Sequence, residues 1–244
     1  QKKEMLYFLL PPVLHLICSK TTKSAEKCSR KKWESLKIRM RSEIYLPNLD
    51  KIVPVRSHLK EALVEAPWAM ALLQKLSGYS PWTYEHSAKV AYLMGEMMEN
   101  EGMSESGVLK AQRAGWLHDI GKIQIPLTVL DAIARSEAGR RAMDEHPRFG
   151  FEMVRDHDEE LARIIVAHHE PLKGYPRSEA REDDEGELLF FQNMLALCDA
   201  TDALMSARPY KGPWSPEDVE RDLDGKFDPR HIRMAIEIRA GINS

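Results

Sequence analysis

The sequence predicts an all-α protein, a helical bundle with a smaller, mainly helical accessory region at its N-terminal end. From Ser80 onward, apolar residues recur at spacings of three and four, which is the period of an amphipathic helix. Turn signals separate these segments, and runs of alternating β-branched residues are few. With 244 residues, of which 43% are hydrophobic and 30% charged, the chain can bury one good-sized core.

Residues 1–79 differ from the rest in character. They contain a basic patch from Lys20 to Arg41 and scattered prolines, and no cluster of potential metal ligands. We therefore predict an accessory region at 1–79, sensory or dimerising in role, and the main domain at 80–244. The apolar run from Met5 to Cys18 is too short to span a bilayer and contains two prolines. No membrane span is expected, with a membrane-proximal origin of this segment as the alternative.

Charge and cysteine content narrow the class of protein further. The formal net charge of -3 gives no overall attraction to DNA, RNA or an anionic membrane, so an anionic substrate would need a local source of positive charge. Metal ions could supply it. The three cysteines form no C-x-x-C pair and are odd in number, which argues against a disulfide framework and a thiolate zinc site. We expect a reducing, cytoplasmic location.

The first two helices of the main domain carry three candidate ligands. Ser80 and Pro81 predict a helix start, with proline in the first turn, and the apolar period continues to Gly102. This helix carries His86. A second helix is predicted from about Ser106 to near Gly121, which places the adjacent residues His118 and Asp119 at its C-terminal end.

The later helices carry the remaining candidates. The pattern predicts them at 127–134, 137–145, 147–154, 159–169 and 188–205, followed by two short helices beginning near Ser215 and Asp228. His146 precedes one of these helices, the pair His168-His169 ends another, and Asp199 lies inside the most apolar one.

Seven histidine and aspartate side chains therefore lie at helix ends or near apolar helix faces, where an unpaired polar group is costly. A lone histidine such as His86 or His146 is more often a hydrogen-bonded core or surface residue. The two adjacent pairs favour a metal cluster instead, because neighbours on a regular helix diverge by about 100°, whereas a helix end can direct both toward one site. The seven candidates are His86, His118, Asp119, His146, His168, His169 and Asp199.

Imidazole and carboxylate without thiolate suit divalent iron, manganese or zinc. A carboxylate can bridge two ions, and two ions about 3.5–4 Å apart stabilise charge on a phosphoryl group during in-line displacement. Lys122, four residues after His118, could reach a phosphate oxygen; the alternative is a helix C-terminal lysine that interacts with the helix dipole. These residues predict a metal-dependent phosphohydrolase.

The string His118-Asp119-Ile120-Gly121-Lys122 resembles the signature of HD-domain phosphohydrolases, and more specifically of the HD-GYP subgroup. That subgroup degrades bacterial cyclic dinucleotides, chiefly cyclic di-GMP. The resemblance runs from about Pro81 to the C-terminus. Its supporting strings are His86-Ser87, Ile123 to Pro126, His146-Pro147, His168-His169-Glu170, Gly174-Tyr175-Pro176, Asp199 to Leu204, Arg208 to Lys211 and Phe227-Asp228-Pro229.

The resemblance implies an HD-type bundle with a catalytic domain at 80–244 and a role for each candidate. One metal ion would be held by His86, His118, Asp119 and Asp199, and the other by Asp119, His146, His168 and His169, so that Asp119 bridges two divalent ions. Iron or manganese is favoured, and zinc, nickel or magnesium is compatible. Lys122 would hold the scissile phosphate, and Tyr175, Arg208 and Lys211 would contact the dinucleotide; a solvated loop pair is the alternative for the last two. The resemblance also allows a homodimer and a diguanylate cyclase-type protein partner.

This sequence departs from the HD-GYP pattern in three places, one of which is the connection between Lys122 and His146, where the usual Pro-Gly turn is missing. After Glu170 it reads Pro171-Leu172-Lys173 and then Gly174-Tyr175-Pro176, so the usual Asp-Gly is missing and the loop is two residues shorter. Some members recruit a third metal through a glutamate four residues before the first histidine. That position is Trp82 here, with Glu85 nearby, so two metals are expected.

Three functions follow from these observations. The leading one is hydrolysis of a phosphodiester in cyclic di-GMP or a related cyclic dinucleotide, which gives the linear dinucleotide, GMP or both. The second is an HD-family nucleotidase that acts on mononucleotides. The third is a non-catalytic module that senses the ligand or serves as a scaffold; the filled ligand positions argue against it.

Overall fold

The computed structural model describes residues 46–54, 58–64, 66–132, 136–170, 172, 185–207 and 212–242. These residues form helices joined by turns and contain no strand, which confirms the all-α prediction. In chain order the α-helices are α1 (Leu49–Ile52), α2 (His58–Val64), α3 (Pro67–Tyr79), α4 (Pro81–Asn100), α5 (Glu105–Leu117), α6 (Leu127–Leu130), α7 (Glu137–Asp144), α8 (His146–Val154), α9 (Glu159–Val166), α10 (Gly186–Met205), α11 (Pro216–Leu223) and α12 (Pro229–Gly241).

Polar caps and prolines set several helix starts where the sequence predicts them. The Ser80 hydroxyl accepts a hydrogen bond from the Thr83 amide, and Pro81 begins α4. Ser104 and Asp158 cap α5 and α9 in the same way. Each cap satisfies an amide that the first helical turn leaves without a partner.

Three predicted helices end earlier than expected. Helix α5 ends at Leu117, and a 3₁₀-helix over Ile120–Gln124 follows it. Helix α9 ends at Val166, so His168 and His169 lie in turns beyond it rather than in the helix. Helix α6 ends at Leu130, and residues 133–135 lie outside the described part.

Helices α4, α5 and α10 form the centre of the bundle. The backbones of α4 and α5 approach so closely that a Cβ added at Gly115 would lie 2.5 Å from Ala91 Cα. Helix α10 contacts both of them and also α9 and α12. By length and composition α10 could cross a membrane, but most of it is buried in this core, and core helices commonly pass the same test.

The described part of the N-terminal region packs into the same hydrophobic core. Leu59 and Leu63 of α2 and Leu73 and Leu76 of α3 are all buried, and these helices contact α5 and α4. The described residues between 46 and 79 therefore pack against the bundle, whatever their further role. The division of the chain at residues 79 and 80 stays a prediction.

Candidate metal centre

The structure brings all seven predicted ligands together at one end of the central helices. His86 comes from α4, His118 and Asp119 follow α5, His146 begins α8, His168 and His169 follow α9, and Asp199 comes from α10. Six of them are buried, and the His169 side chain is 15% exposed. Five separate segments of the chain thus meet at one polar cluster inside an apolar core.

One side of the cluster, the carboxylate-rich half, consists of His86, His118 and Asp199. His86 Nε2 lies 2.9 Å from Asp199 Oδ1, and His118 Nε2 lies 3.8 Å from the same oxygen. The Oδ2 atom of Asp119 lies 3.4 Å from His118 Nε2 and 3.9 Å from His86 Nε2. Two carboxylates and two ring nitrogens therefore face one another.

The other side, the imidazole-rich half, consists of His146, His168 and His169. The Nε2 atom of His146 lies 3.3 Å from Nε2 of His168 and 3.3 Å from Nε2 of His169. The second carboxylate oxygen of Asp119, Oδ1, lies 3.2 Å from His146 Nε2. Asp119 thus presents one oxygen to each half.

These residues fit divalent metal ions. Within each of three groups of three ligands, the candidate donor atoms all lie within 4.8 Å of one another. His118 Nε2 is buried and has no hydrogen-bond partner among the described residues, a costly state for a polar atom without a ligand. The donors are nitrogen and carboxylate oxygen, the set expected for iron, manganese or zinc.

Backbone carbonyl groups fix the orientation of three of the imidazoles. The Nδ1 atoms of His118, His146 and His168 donate to the carbonyl oxygens three residues earlier in the chain, at 2.9, 2.6 and 2.5 Å respectively. Because a carbonyl can only accept, Nδ1 carries the proton, and in the neutral ring Nε2 keeps a lone pair directed into the cluster. Such outer contacts set the tautomer of metal-binding histidines.

His86 is oriented differently, by a carboxylate. Its Nδ1 donates to Asp202 Oδ2 at 2.6 Å, and the guanidinium of Arg239 donates to the other oxygen of Asp202. Neither residue was among the predicted site residues. Asp202 follows Asp199 by three positions on α10 and could have been found from that spacing. Arg239 lies 37 residues further along the chain, on α12, and no nearby sequence pattern indicates its contact with Asp202.

The two halves have opposite effects on the pKa values of their histidines. Burial lowers the pKa of His86, but its hydrogen bonds to Asp199 and Asp202 outweigh burial and raise the pKa to about 9. Burial, with the neighbouring imidazoles, holds the pKa of His168 well below its usual value, and burial lowers that of His169 to about 3.

The two carboxylates among the predicted ligands, Asp119 and Asp199, are held ionised. Burial raises the pKa of Asp119, but the Lys122 ammonium and the neighbouring imidazoles outweigh it and hold that pKa well below its usual value. The pKa of Asp199 is lowered in the same way, mainly by the hydrogen bond from His86. The centre therefore presents two anions and several neutral nitrogens.

Lys122 lies on the rim of this cluster, where its Nζ is 2.5 Å from Asp119 Oδ2. The 3₁₀-helix that carries it packs tightly on α8: a Cβ added at Gly121 would lie 2.0 Å from the His146 carbonyl oxygen. Only glycine allows this approach, so Gly121 lets the segment that carries Lys122 pack directly against the backbone of His146.

A cavity of about 620 Å³ opens above the cluster. His86, Lys122, His146, His169 and Asp199 lie on its floor and walls, and Trp82 lines it with a side chain that is 46% exposed and whose ring stacks on His86. Tyr175, Arg208 and Lys211, predicted to contact the substrate, lie outside the described residues, so those contacts stay predictions.

Comparison with known proteins agrees with this geometry. A family model described as the HD domain matches residues 83–204. A cyclic di-GMP phosphodiesterase of Thermotoga maritima is 34% identical over 186 residues, 71% of this chain and 49% of the relative. A cyclic di-GMP phosphodiesterase of Pseudomonas aeruginosa is 29% identical over 188 residues, 73% of this chain and 44% of the relative. The chain thus spans less than half the length of these relatives.

The fold also has a counterpart among solved structures. The HD domain of the L. monocytogenes phosphodiesterase PgpH superposes with a TM-score of 0.50 at 18% sequence identity. The match covers 70% of this chain and 97% of that domain. At this level of identity the likeness concerns the fold alone.

Proposed function

Because this chain belongs to the HD-domain family, we propose that it is a metal-dependent phosphodiesterase that hydrolyses cyclic di-GMP or a related cyclic dinucleotide. The products would be the linear dinucleotide, GMP or both. The names of the two curated relatives support this substrate class. The proposal concerns residues 80–244 as the catalytic domain, in a cytoplasmic protein.

The position of Asp119 carries the proposal. Its two oxygens face different sets of ligands, His86 and His118 on one side and His146 on the other. A carboxylate placed in this way can bridge two divalent ions, and we propose iron or manganese in both positions. When bound, such ions polarise water and offset the charge of a phosphoryl group.

The residues around the ions would position the substrate. Lys122 places a positive charge at the cavity floor, beside the oxygen of Asp119 that faces the carboxylate-rich half. There it can hold a non-bridging oxygen of the scissile phosphate and stabilise the charge that develops on it. The exposed face of Trp82 offers a surface on which a nucleobase can stack. A volume of about 620 Å³ is in the range of small-molecule sites.

Contacts from Tyr175, Arg208 and Lys211 to the dinucleotide, a homodimer and a diguanylate cyclase-type partner belong to the same proposal. Arg208 and Lys211 follow α10 directly, and this helix carries Asp199. Their charges would complement a second phosphate, since a cyclic dinucleotide carries two.

The test is turnover by protein purified without oxygen and loaded with Fe²⁺ or Mn²⁺. Cyclic di-GMP, cyclic di-AMP and 3'3'-cGAMP would be offered in parallel with GTP and GMP, and the products separated by chromatography. Linear dinucleotide or GMP from a cyclic substrate supports the proposal. Release of phosphate, pyrophosphate or triphosphate from the mononucleotides alone would identify a nucleotidase instead. Binding of a cyclic dinucleotide without turnover would identify a sensing module.

A further inference from the structure

A buried ion pair lies directly behind the carboxylate-rich half. Arg239 on α12 and Asp202 on α10 are each 1% exposed, and Arg239 Nε donates to Asp202 Oδ1. Ser206 closes the arrangement: its hydroxyl donates to the same Asp202 oxygen at 3.2 Å and accepts from Arg239 Nη2 at 3.1 Å. The other oxygen of Asp202 accepts from His86 Nδ1 at 2.6 Å. A chain of contacts therefore runs from α12 to a predicted metal ligand.

Such a pair is a poor device for stability alone. Removing two charges from water costs several kcal/mol for each ion, and apolar side chains of similar volume often stabilise a core as well or better. Apolar side chains are accepted on this helix, since Ile232 and Ala235 of α12 are buried in the hydrophobic core. The charges are therefore better explained by what they hold in place.

Among the buried imidazoles of the cluster that the structure describes, only His86 has its Nδ1 held by a carboxylate. The Nδ1 atoms of His118, His146 and His168 are held by backbone carbonyls. Both oxygens of Asp202 accept hydrogen bonds, from His86 and from Arg239, so Asp202 is held as an anion. Two further carboxylates, Asp119 and Asp199, face the other nitrogen of the same ring. Three carboxylates around one ring repel one another. Arg239 offsets the charge of the one that is not placed to bind metal.

We propose that Arg239 is a positioning residue, which acts through Asp202 to hold His86 with Nε2 directed at the metal in the carboxylate-rich half. This inference rests on the proposed metal centre and adds to it the C-terminal helix, which carries none of the predicted ligands. Removal of Arg239 should weaken one of two metal sites and leave the imidazole-rich half unchanged, because backbone carbonyls orient His146 and His168 there.

The experiment is titration of the whole chain with Mn²⁺, with free Mn²⁺ followed by electron paramagnetic resonance. We expect two sites in the unaltered protein. In Arg239→Met, one site should weaken by about 10–100-fold, the usual cost of losing an outer contact to a metal ligand. Arg239→Lys should recover part of the affinity, because an ammonium can still donate to Asp202. Ile232→Ala, an equally buried change on the same helix, should lower the melting temperature and leave both affinities unchanged.

A second comparison separates positioning from stability. In a His86→Ala background, Arg239→Met should have no further effect on Mn²⁺ binding, because the residue through which it acts is gone. If Arg239→Met does not fold, the double variant Asp202→Asn with Arg239→Met removes both charges and should fold while one site stays weak.

The outcomes distinguish this inference from the proposed function. No Mn²⁺ binding by the unaltered chain would reject the metal centre itself. Two sites of unaltered affinity in folded Arg239→Met, or in the double variant, would reject the role of Arg239 alone. An added loss in the His86→Ala background would show that Arg239 acts on the fold and would also overturn the inference.

Discussion

The two halves of the metal centre hold protons differently, although they share Asp119. In the carboxylate-rich half, Asp199 and Asp202 surround His86 and raise its pKa to about 9, so the metal-free ring carries a proton at neutral pH. In the imidazole-rich half, burial and mutual repulsion keep His168 and His169 neutral. His86 must lose its second ring proton before its Nε2 can bind an ion. His168 and His169 are already neutral, so neither ring has to be deprotonated first. Two ions bound in these halves would therefore not be equivalent.

The largest expected effect is that of Asp119→Ala, which removes the candidate ligand whose two oxygens face different halves. We expect metal content to fall from two ions toward none and turnover to fall to background. The loss should exceed the roughly 10–100-fold typical of outer contacts, because Asp119 faces both sets of ligands directly. Metal analysis and cyclic di-GMP hydrolysis measure it.

Asp156→Ala is a control for Asp119→Ala, since this exposed aspartate lies outside the cluster. Asp119→Asn keeps the shape of the side chain and shows whether the fold survives. Two retained ions in Asp119→Ala would contradict the bridging role and would make the halves independent.

The second largest effect is expected from variants that remove one predicted ligand from only one half of the centre. His168→Ala removes a ligand from the imidazole-rich half and His86→Ala one from the other, so each variant should keep one ion of two and lose turnover. His157→Ala, which removes an exposed imidazole stacked on Trp68 outside the centre, should keep both ions. Loss of both ions from His168→Ala would show that the two halves bind metal only as a unit.

A smaller effect is expected for Lys122→Met. Turnover should fall by about 10²-fold, the order seen when one donor to a developing negative charge is removed. Metal binding should be kept or strengthened, because Lys122 competes for Asp119 Oδ2 in the metal-free protein. Lys110→Met removes a lysine paired with Glu160 at the surface and should leave turnover unchanged. Loss of metal from Lys122→Met would show that this lysine maintains the structure of the metal site and would contradict a purely catalytic role.

Most of the fold follows from local signals in the sequence. Ser80 with Pro81, and the capping residues Ser104 and Asp158, begin helices where the apolar period starts. The helix ends were less predictable. The period continues past Val166, but the chain leaves the helix there, and the turns place His168 and His169 in one cluster.

The residues that cluster here could be found in the sequence because two adjacent pairs lie at predicted helix ends and match a known signature. What orients them was only partly predictable. Three imidazoles are held by carbonyl oxygens three residues earlier, a contact that any sequence could make at a helix end. Arg239 meets Asp202 only through the packing of α12 on α10, which no local pattern encodes.

The smallest expected effect, taken per pH unit, is the pH dependence of Mn²⁺ affinity that results from protonation of His86. The metal-free pKa of His86 lies above its ordinary value of 6.5, so the proton is bound below about pH 9 and an ion must displace it. Mn²⁺ affinity of the carboxylate-rich half should therefore rise by about tenfold per pH unit from 6.5 toward 9 and then level off. The affinity of the imidazole-rich half should change less over this range, since the pKa values of His168 and His169 lie below it.

Mn²⁺ titrations across this range, with proton release measured by calorimetry in buffers of different ionisation enthalpy, provide the test. In His168→Ala, which isolates the carboxylate-rich half, the slope should remain. A flat profile there would mean that His86 is already neutral when metal arrives, and the contrast between the halves would then rest on ligand type alone.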